Sequence, residues 1–205
     1  MRKLVHFIYY AIWLLLFKLK NFICTYVLHL KLIANNVTYG TSLKAVNGVP
    51  LIYIHNKAFK CRLGNNVTLR SCLDVCWNSK INIIVKRNAA LIIGDNTGIS
   101  GSLIYCSESI EIGNNVMIGG GCRIFDTDFH PISVAKRLDP KTINEGKSAP
   151  IYIEDNVFIG TNCIIGKGVR IGKGSVLAAG SVVVKSIPPN EVWGGNPAKF
   201  IRKIN

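Results

Sequence analysis

The clearest pattern in the chain is aliphatic, with residues recurring every six positions at Ile153, Ile159, Ile165, Ile171, Leu177 and Val183. Gly160, Gly166 and Gly172 directly follow three of them, and the small residues Val157, Cys163, Val169, Ser175 and Ser181 stand four positions after the first five. The same phase appears upstream as Ile112, Ile118 and Ile124, more loosely at Ile93 and Ile99, and the loosest coils reach back to Leu63-Gly64. A period of six fits neither an α-helix at 3.6 nor a half-buried strand at two, and the glycines penalise helix. Three hexads make one triangular coil. Each coil buries its aliphatic row only against its neighbours, the logic of a solenoid.

A different pattern opens the chain. Residues 4–17 (LVHFIYYAIWLLLF) are apolar, with Arg2 and Lys3 before them and Lys18 and Lys20 after. On a helix, Leu4, Ile8, Ala11, Ile12, Leu15, Leu19, Phe22, Ile23, Tyr26, Leu30 and Ile33 form one stripe, with Lys18, Asn21, Thr25 and His29 beside or across from it. The run is short for a span, which needs about 20 apolar residues, and no A-x-A-like site follows to suggest a cleaved signal. Three readings stay open for residues 1–33: a basic amphipathic helix on a membrane surface, a helix packed on the main domain or a neighbouring subunit, or a true span. The pattern divides the chain into a helical segment at 1–36, a β-helix at 37–187 and a basic tail at 188–205.

Composition narrows the classes. Apolar residues make up 49% and charged residues 18%, which excludes a disordered chain. A net charge of +14 implies an anionic partner without saying which. The seven cysteines, at 24, 61, 72, 76, 106, 122 and 163, include no C-x-x-C pair, so they suggest buried thiols in a reducing compartment. Cys72 and Cys76 lack a matching Cys/His pair for zinc. No nucleic-acid reader motif accompanies the charge.

The six-residue phase breaks after Ile124 and resumes at Ile151 or Ile153, leaving an inserted loop, 125–150. Long loops in compact domains are usually functional. This one holds His130, restrained by Pro131, and an imidazole suits proton abstraction near neutral pH. Asp126 and Asp128 could orient the imidazole, bind an acceptor or simply cap backbone amides.

Three segments carry a family resemblance: IGNNVMIGGGCRIFDTDFHP (112–131), IEDNVFIGTNCIIGKGVRIGKGSVLAAGSVVVKSIPPN (153–190) and GGNPAKFIRKI (194–204). Together they resemble the hexapeptide-repeat O-acetyltransferases, the maltose and galactoside acetyltransferase group and its polysaccharide-modifying relatives, over about residues 90–205. The resemblance implies an all-β fold, a left-handed parallel β-helix. It also implies direct transfer of acetyl from acetyl-coenzyme A to a carbohydrate hydroxyl, with His130 as general base and no metal. By motif position it implies coenzyme A contacts at Thr161, Ala179, Val184, Lys185, Lys199 and Arg202, and acceptor contacts at Ser100, Ser107, Asp126 and Asp128. A homotrimer in the cytoplasm, peripheral on the inner face of the membrane and without nucleic acid, completes the expectation.

Alternatives within the class are N-acetylation of an amino sugar and acetylation of serine or an antibiotic. A trimeric scaffold without catalysis is another. A zinc carbonic anhydrase on the same prism would need three imidazoles, against a supply of His6, His29, His55 and His130.

Overall fold

The computed structural model describes residues 2–55, 58–71 and 79–204, the side chains of residues 2–6 excepted. Cys72 and Cys76, weighed above as metal ligands, lie outside the described residues, as does the side chain of His6.

Six coils make a left-handed prism. The first is β1 (Thr38–Tyr39), β2 (Lys44–Val46) and β3 (Leu51–Ile54), and the second β4 (Lys60–Leu63), β5 (Thr68–Arg70) and β6 (Asn82–Val85). The third is β7 (Ala90–Ile93), β8 (Gly98–Ser100) and β9 (Leu103–Cys106), and the fourth β10 (Ser109–Ile112), β11 (Met117–Ile118) and β12 (Arg123–Phe125). After the inserted loop come β13 (Ile151–Ile153), β14 (Phe158–Ile159) and β15 (Ile164–Ile165), then β16 (Arg170–Ile171), β17 (Val176–Leu177) and β18 (Val182–Val183). Every third strand pairs in parallel, giving three sheets that form the walls.

The hexad positions stack on one another. Ile93, Ile112, Ile153 and Ile171 are register partners down the first wall. Ile99, Ile118, Ile159 and Leu177 form the second column, and Ile104, Ile124, Ile165 and Val183 the third. All are buried, as are the small residues Val157, Cys163, Val169, Ser175 and Ser181. Full burial of each large aliphatic side chain contributes about 1.5–3 kcal/mol. The first coil begins at Thr38, and Leu43, Ala45 and Ile54 supply its inward positions.

One corner is held by side-chain ladders. Asn66, Asn96, Asn115 and Asn156 all sit at positive φ, between 53° and 60°, a conformation that asparagine tolerates better than most residues. Their amides bond coil to coil, Asn66 to Asn96 at 3.0 Å and Asn115 to Asn156 at 3.2 Å. Beside them, Asp95 Oδ1 accepts the Asn65 backbone N–H at 2.7 Å, and Asp155 Oδ1 accepts that of Asn114 at 2.7 Å. The Asn65 bonds hold the Asp95 carboxyl below the usual carboxylate range.

Both ends are covered. The basic tail is a structured hairpin, β19 (Glu191–Gly194) and β20 (Lys199–Lys203), which extends the second wall past β17. At the other end lies α1 (Arg2–Ala34). Its packed face is the reverse of the predicted stripe. Cys24, Leu28 and Leu32 are buried, whereas Ile8, Ile12, Leu15, Leu19, Phe22, Ile23, Tyr26, Leu30 and Ile33 are exposed. Polar groups decide the docking: Asn21 Oδ1 accepts the Asn47 N–H at 2.8 Å, Thr25 Oγ1 accepts the Ala45 N–H at 3.0 Å, and Lys31 Nζ donates to the Pro50 carbonyl at 3.2 Å. These are orphan groups of the first coil, which has no coil above it to pair with.

Candidate active site at the interruption of the prism

The inserted loop leaves the prism after β12 and is clasped at its root. Thr127 bridges Ser148, the Ala149 N–H donates to the Asp126 carbonyl, and the Asp128 N–H donates to the Lys147 carbonyl. A short helix, α2 (Val134–Leu138), interrupts the loop and buries none of its residues.

Local backbone geometry aims His130. The His130 N–H donates to the Asp128 carbonyl at 2.7 Å across Phe129, whose φ is +62°. That is a three-residue turn in the left-handed region, which a bulky residue adopts only at a cost of order 1–3 kcal/mol. The cost is offset by packing: the Phe129 ring lies 4.8 Å from Tyr105 and 5.5 Å from Phe125, and Thr127 Oγ1 accepts the Phe129 N–H at 3.1 Å.

The imidazole is exposed, and its Nδ1 lies 2.7 Å from the Ile143 carbonyl oxygen. A carbonyl can only accept, so Nδ1 carries the hydrogen and Nε2 the lone pair. The ring lines a cavity of about 500 Å³ with Lys86, Tyr105, Ser107, Thr127, Asn144 and Gly146 among its walls. Gly146 is there because nothing larger fits: a Cβ would stand 2.5 Å from the Phe129 carbonyl carbon and 2.7 Å from the His130 nitrogen. Gly146→Ala is expected to displace the turn and lower kcat by at least tenfold while Tm changes little, since the loop lies outside the aliphatic core. Steady-state kinetics with thermal melts will check this.

Neither loop carboxylate is bonded to the imidazole, and of the roles the sequence left open Asp126 takes the capping of backbone amides. Asp126 is fully buried, and its oxygens accept the backbone N–H groups of Ser107 at 2.6 Å and Glu108 at 2.7 Å. Asp128 is paired with Lys167 at 2.7 Å. A backbone carbonyl fixes the imidazole instead.

Ser107 shares the His130 cavity, whereas Ser100 lies on the second wall in a separate groove with Arg70, Met117 and Phe158. The residues expected to bind coenzyme A also fall into groups. Thr161 and Ala179 stack at the corner between the second and third walls, joined by the Gly180 N–H to the Thr161 carbonyl at 2.8 Å. Lys199 and Arg202 are exposed on β20. Val184 lines a groove of about 300 Å³ with Phe125, Asp128, Gly166 and Lys167, and Lys185 follows it in the chain. Thr127 lines both this groove and the His130 cavity, so the two adjoin.

Glycines test whether a ligand fits. Gly160 is dictated by the coils, since a Cβ would meet the Ala179 nitrogen at 2.6 Å. Gly166 is not: a Cβ there meets only the Val183 carbonyl oxygen, at 3.5 Å. Its small size keeps the Val184 groove open. Sequence reasoning missed the Ile143 carbonyl, which as a backbone group leaves no signal, and Lys167. Lys167 stands at a corner between two glycines, where the hexad phase asks for no charge.

Among the described residues no cysteine lines the His130 cavity. Burial pushes Cys61 up to about 12, and burial with the nearby Asp126 charge raises Cys106 further. Among the described residues no three His, Cys, Asp or Glu side chains group as a metal site would require.

The prism, the histidine-bearing loop that interrupts it after β12 and the similarity to a solved hexapeptide-repeat acetyltransferase place the chain in the hexapeptide-repeat acyltransferase family. Residues 150–185 match the model for the hexapeptide repeat of succinyl-transferase. The hexapeptide-repeat acetyltransferase of Vibrio cholerae, solved in complex with acetyl-coenzyme A, is 33% identical over 66% of this chain and 68% of its own, with a TM-score of 0.51. The galactoside O-acetyltransferase of Lactococcus lactis is 46% identical over 47% of this chain and 44% of its length. The mitochondrial gamma carbonic anhydrase 1 of Arabidopsis thaliana is 35% identical over 71% of this chain and 58% of its length. The chain spans about half the length of the curated relatives it matches.

Proposed function

We propose that the protein is an acetyl-coenzyme A-dependent O-acetyltransferase acting on a hydroxyl of a carbohydrate, with His130 as general base. The observation that carries this reading is the contact of Nδ1 with the Ile143 carbonyl, an acceptor, from which it follows that the neutral ring keeps its basic nitrogen, Nε2, for an open polar cavity. His130 Nε2 takes the hydroxyl proton as the acceptor oxygen bonds to the acetyl carbon. The carbon–sulfur bond breaks, and the imidazolium returns the proton to the departing thiolate.

Lys86, Ser107, Asn144 and Ser148 around the cavity supply donors and acceptors for sugar hydroxyls, and Tyr105 and Phe129 supply an aromatic face. When bound, acetyl-coenzyme A supplies an activated acetyl thioester. Val184 and Gly166 would receive its thin arm, with Thr161 and Ala179 of a neighbouring copy closing the groove and Lys185, Lys199 and Arg202 meeting its phosphates. Such sharing supports a homotrimer. So do Met117 and Phe158, large apolar side chains left exposed on the second wall at 58% and 43%.

Thiol release from acetyl-coenzyme A by the full chain, across mono- and disaccharides, amino sugars and serine, tests the proposal. Turnover is expected with hydroxyl sugars, and Gly166→Leu is expected to raise KM for the donor at least tenfold without loss of folding. Turnover confined to amino sugars or serine would replace the acceptor. Failure to bind acetyl-coenzyme A would sink the reading.

A further inference from the structure

From Asn21 to Ile33 helix α1 carries two apolar faces of which only one is used, and from Phe7 up to there the helix is exposed on every side, with Phe7, Tyr9, Tyr10, Trp13 and Leu16 open beside the stripe. The packed face, through Cys24, Leu28 and Leu32, seals the open end of the prism. Opposite it, Ile8, Ile12, Leu15, Leu19, Ile23, Tyr26, Leu30 and Ile33 form an unbroken exposed line along almost the whole helix. At about 100° per residue, Lys18 and Lys20 fall on opposite flanks of this line, each roughly a quarter-turn or slightly more from its centre. The helix contains no Asp or Glu.

We propose that α1 is an in-plane membrane anchor that seats the prism upright on an anionic bilayer, its outer stripe in the acyl boundary and Lys18 and Lys20 at headgroup level. A helix with an apolar underside and a lysine on each flank meets anionic lipid in this way. A second copy of the chain fits less well, because two such stripes face to face would set lysines together with no carboxylate to pair them.

A span fits less well too. By length and hydropathy Phe7–Ala34 could cross a membrane. Yet Asn21, Thr25 and Lys31 are bonded to the first coil, and the apolar run 4–17 reaches only about 21 Å at 1.5 Å per residue, against a hydrocarbon core of about 30 Å. A span would also leave the outer line unexplained from Phe22 to Ile33, where the helix is already docked.

The anchor sets the height of the site. His130 leaves the prism after the fourth coil, three strand spacings of about 4.8 Å above the first. With a helix about 10 Å across beneath, the base stands roughly 25 Å above the acyl boundary.

Flotation of the full chain with phosphatidylcholine vesicles, with and without phosphatidylglycerol, tests the inference. Binding is expected with phosphatidylglycerol, at least tenfold weaker for Leu19→Glu/Ile23→Glu, and reduced for Lys18→Gln/Lys20→Gln. These side chains are exposed, so the variants should melt as the parent does. Alkaline carbonate is expected to strip the protein from the vesicles. Equal binding by the double-glutamate variant would overturn the proposal, as would resistance to carbonate, which means a span. It would equally fall if the parent ignored vesicles but formed end-to-end assemblies that the glutamates dissolve, which means a second copy.

Discussion

Replacing His130 by alanine is expected to lower kcat by about 10²–10⁴-fold, the usual worth of a positioned general base, while coenzyme A affinity and Tm stay close to the parent's. The asymmetry follows from where the residue sits. Its side chain is exposed and its loop contributes nothing to the aliphatic columns, so the fold loses little. A merely structural histidine would behave differently. His130→Gln keeps a donor that can reach the Ile143 carbonyl but supplies no basic nitrogen, so it should be as inactive as alanine if Nε2 is the base. Recovery of activity by glutamine would assign the ring to holding the loop. Single-turnover thiol release beside isothermal titration separates these cases.

Asp126→Ala should show the opposite profile. Its carboxylate is buried and accepts two backbone N–H groups, those of Ser107 and Glu108, at the corner where β9 turns into β10. Removing it orphans both donors inside the protein, at about 1–3 kcal/mol each before any relaxation. A fall in Tm of roughly 5–10 °C is expected for a chain of this size, with activity lost in proportion to unfolding or to displacement of Ser107. Asp126→Asn, which keeps one acceptor, should recover part of the loss. If Asp126→Ala melts as the parent does while KM for the acceptor rises, the carboxylate binds substrate after all.

The prism and its base were legible in the chain for one reason: they are written locally. Ile153, Ile159 and Ile165 recur at a spacing that every coil reuses, and each pairs with its counterpart a coil away. The break in that rhythm marked the loop, and the loop contained a single imidazole. The partners of that imidazole were not legible. Two aspartates adjacent in sequence looked like its natural neighbours, but Asp126 turns inward to amides of the previous coil and Asp128 reaches Lys167, 39 residues away.

The N-terminal helix shows the same division. Hydrophobicity could not choose between its two apolar faces, and it left open whether the wider one meets a membrane or packs. Asn21 and Thr25 chose the narrower face for packing, since only they could satisfy the unpaired N–H groups of Asn47 and Ala45 on the first coil.

By itself, then, the sequence determined what repeats: the hexad columns, the coil corners, the interruption and the one imidazole it holds. Tertiary structure decided what does not repeat, namely the tautomer of His130, the inward commitment of Asp126 and the outward face of α1. Each of these depends on a polar backbone group brought near by folding, and such a group is identical at every residue until the fold gives it a partner.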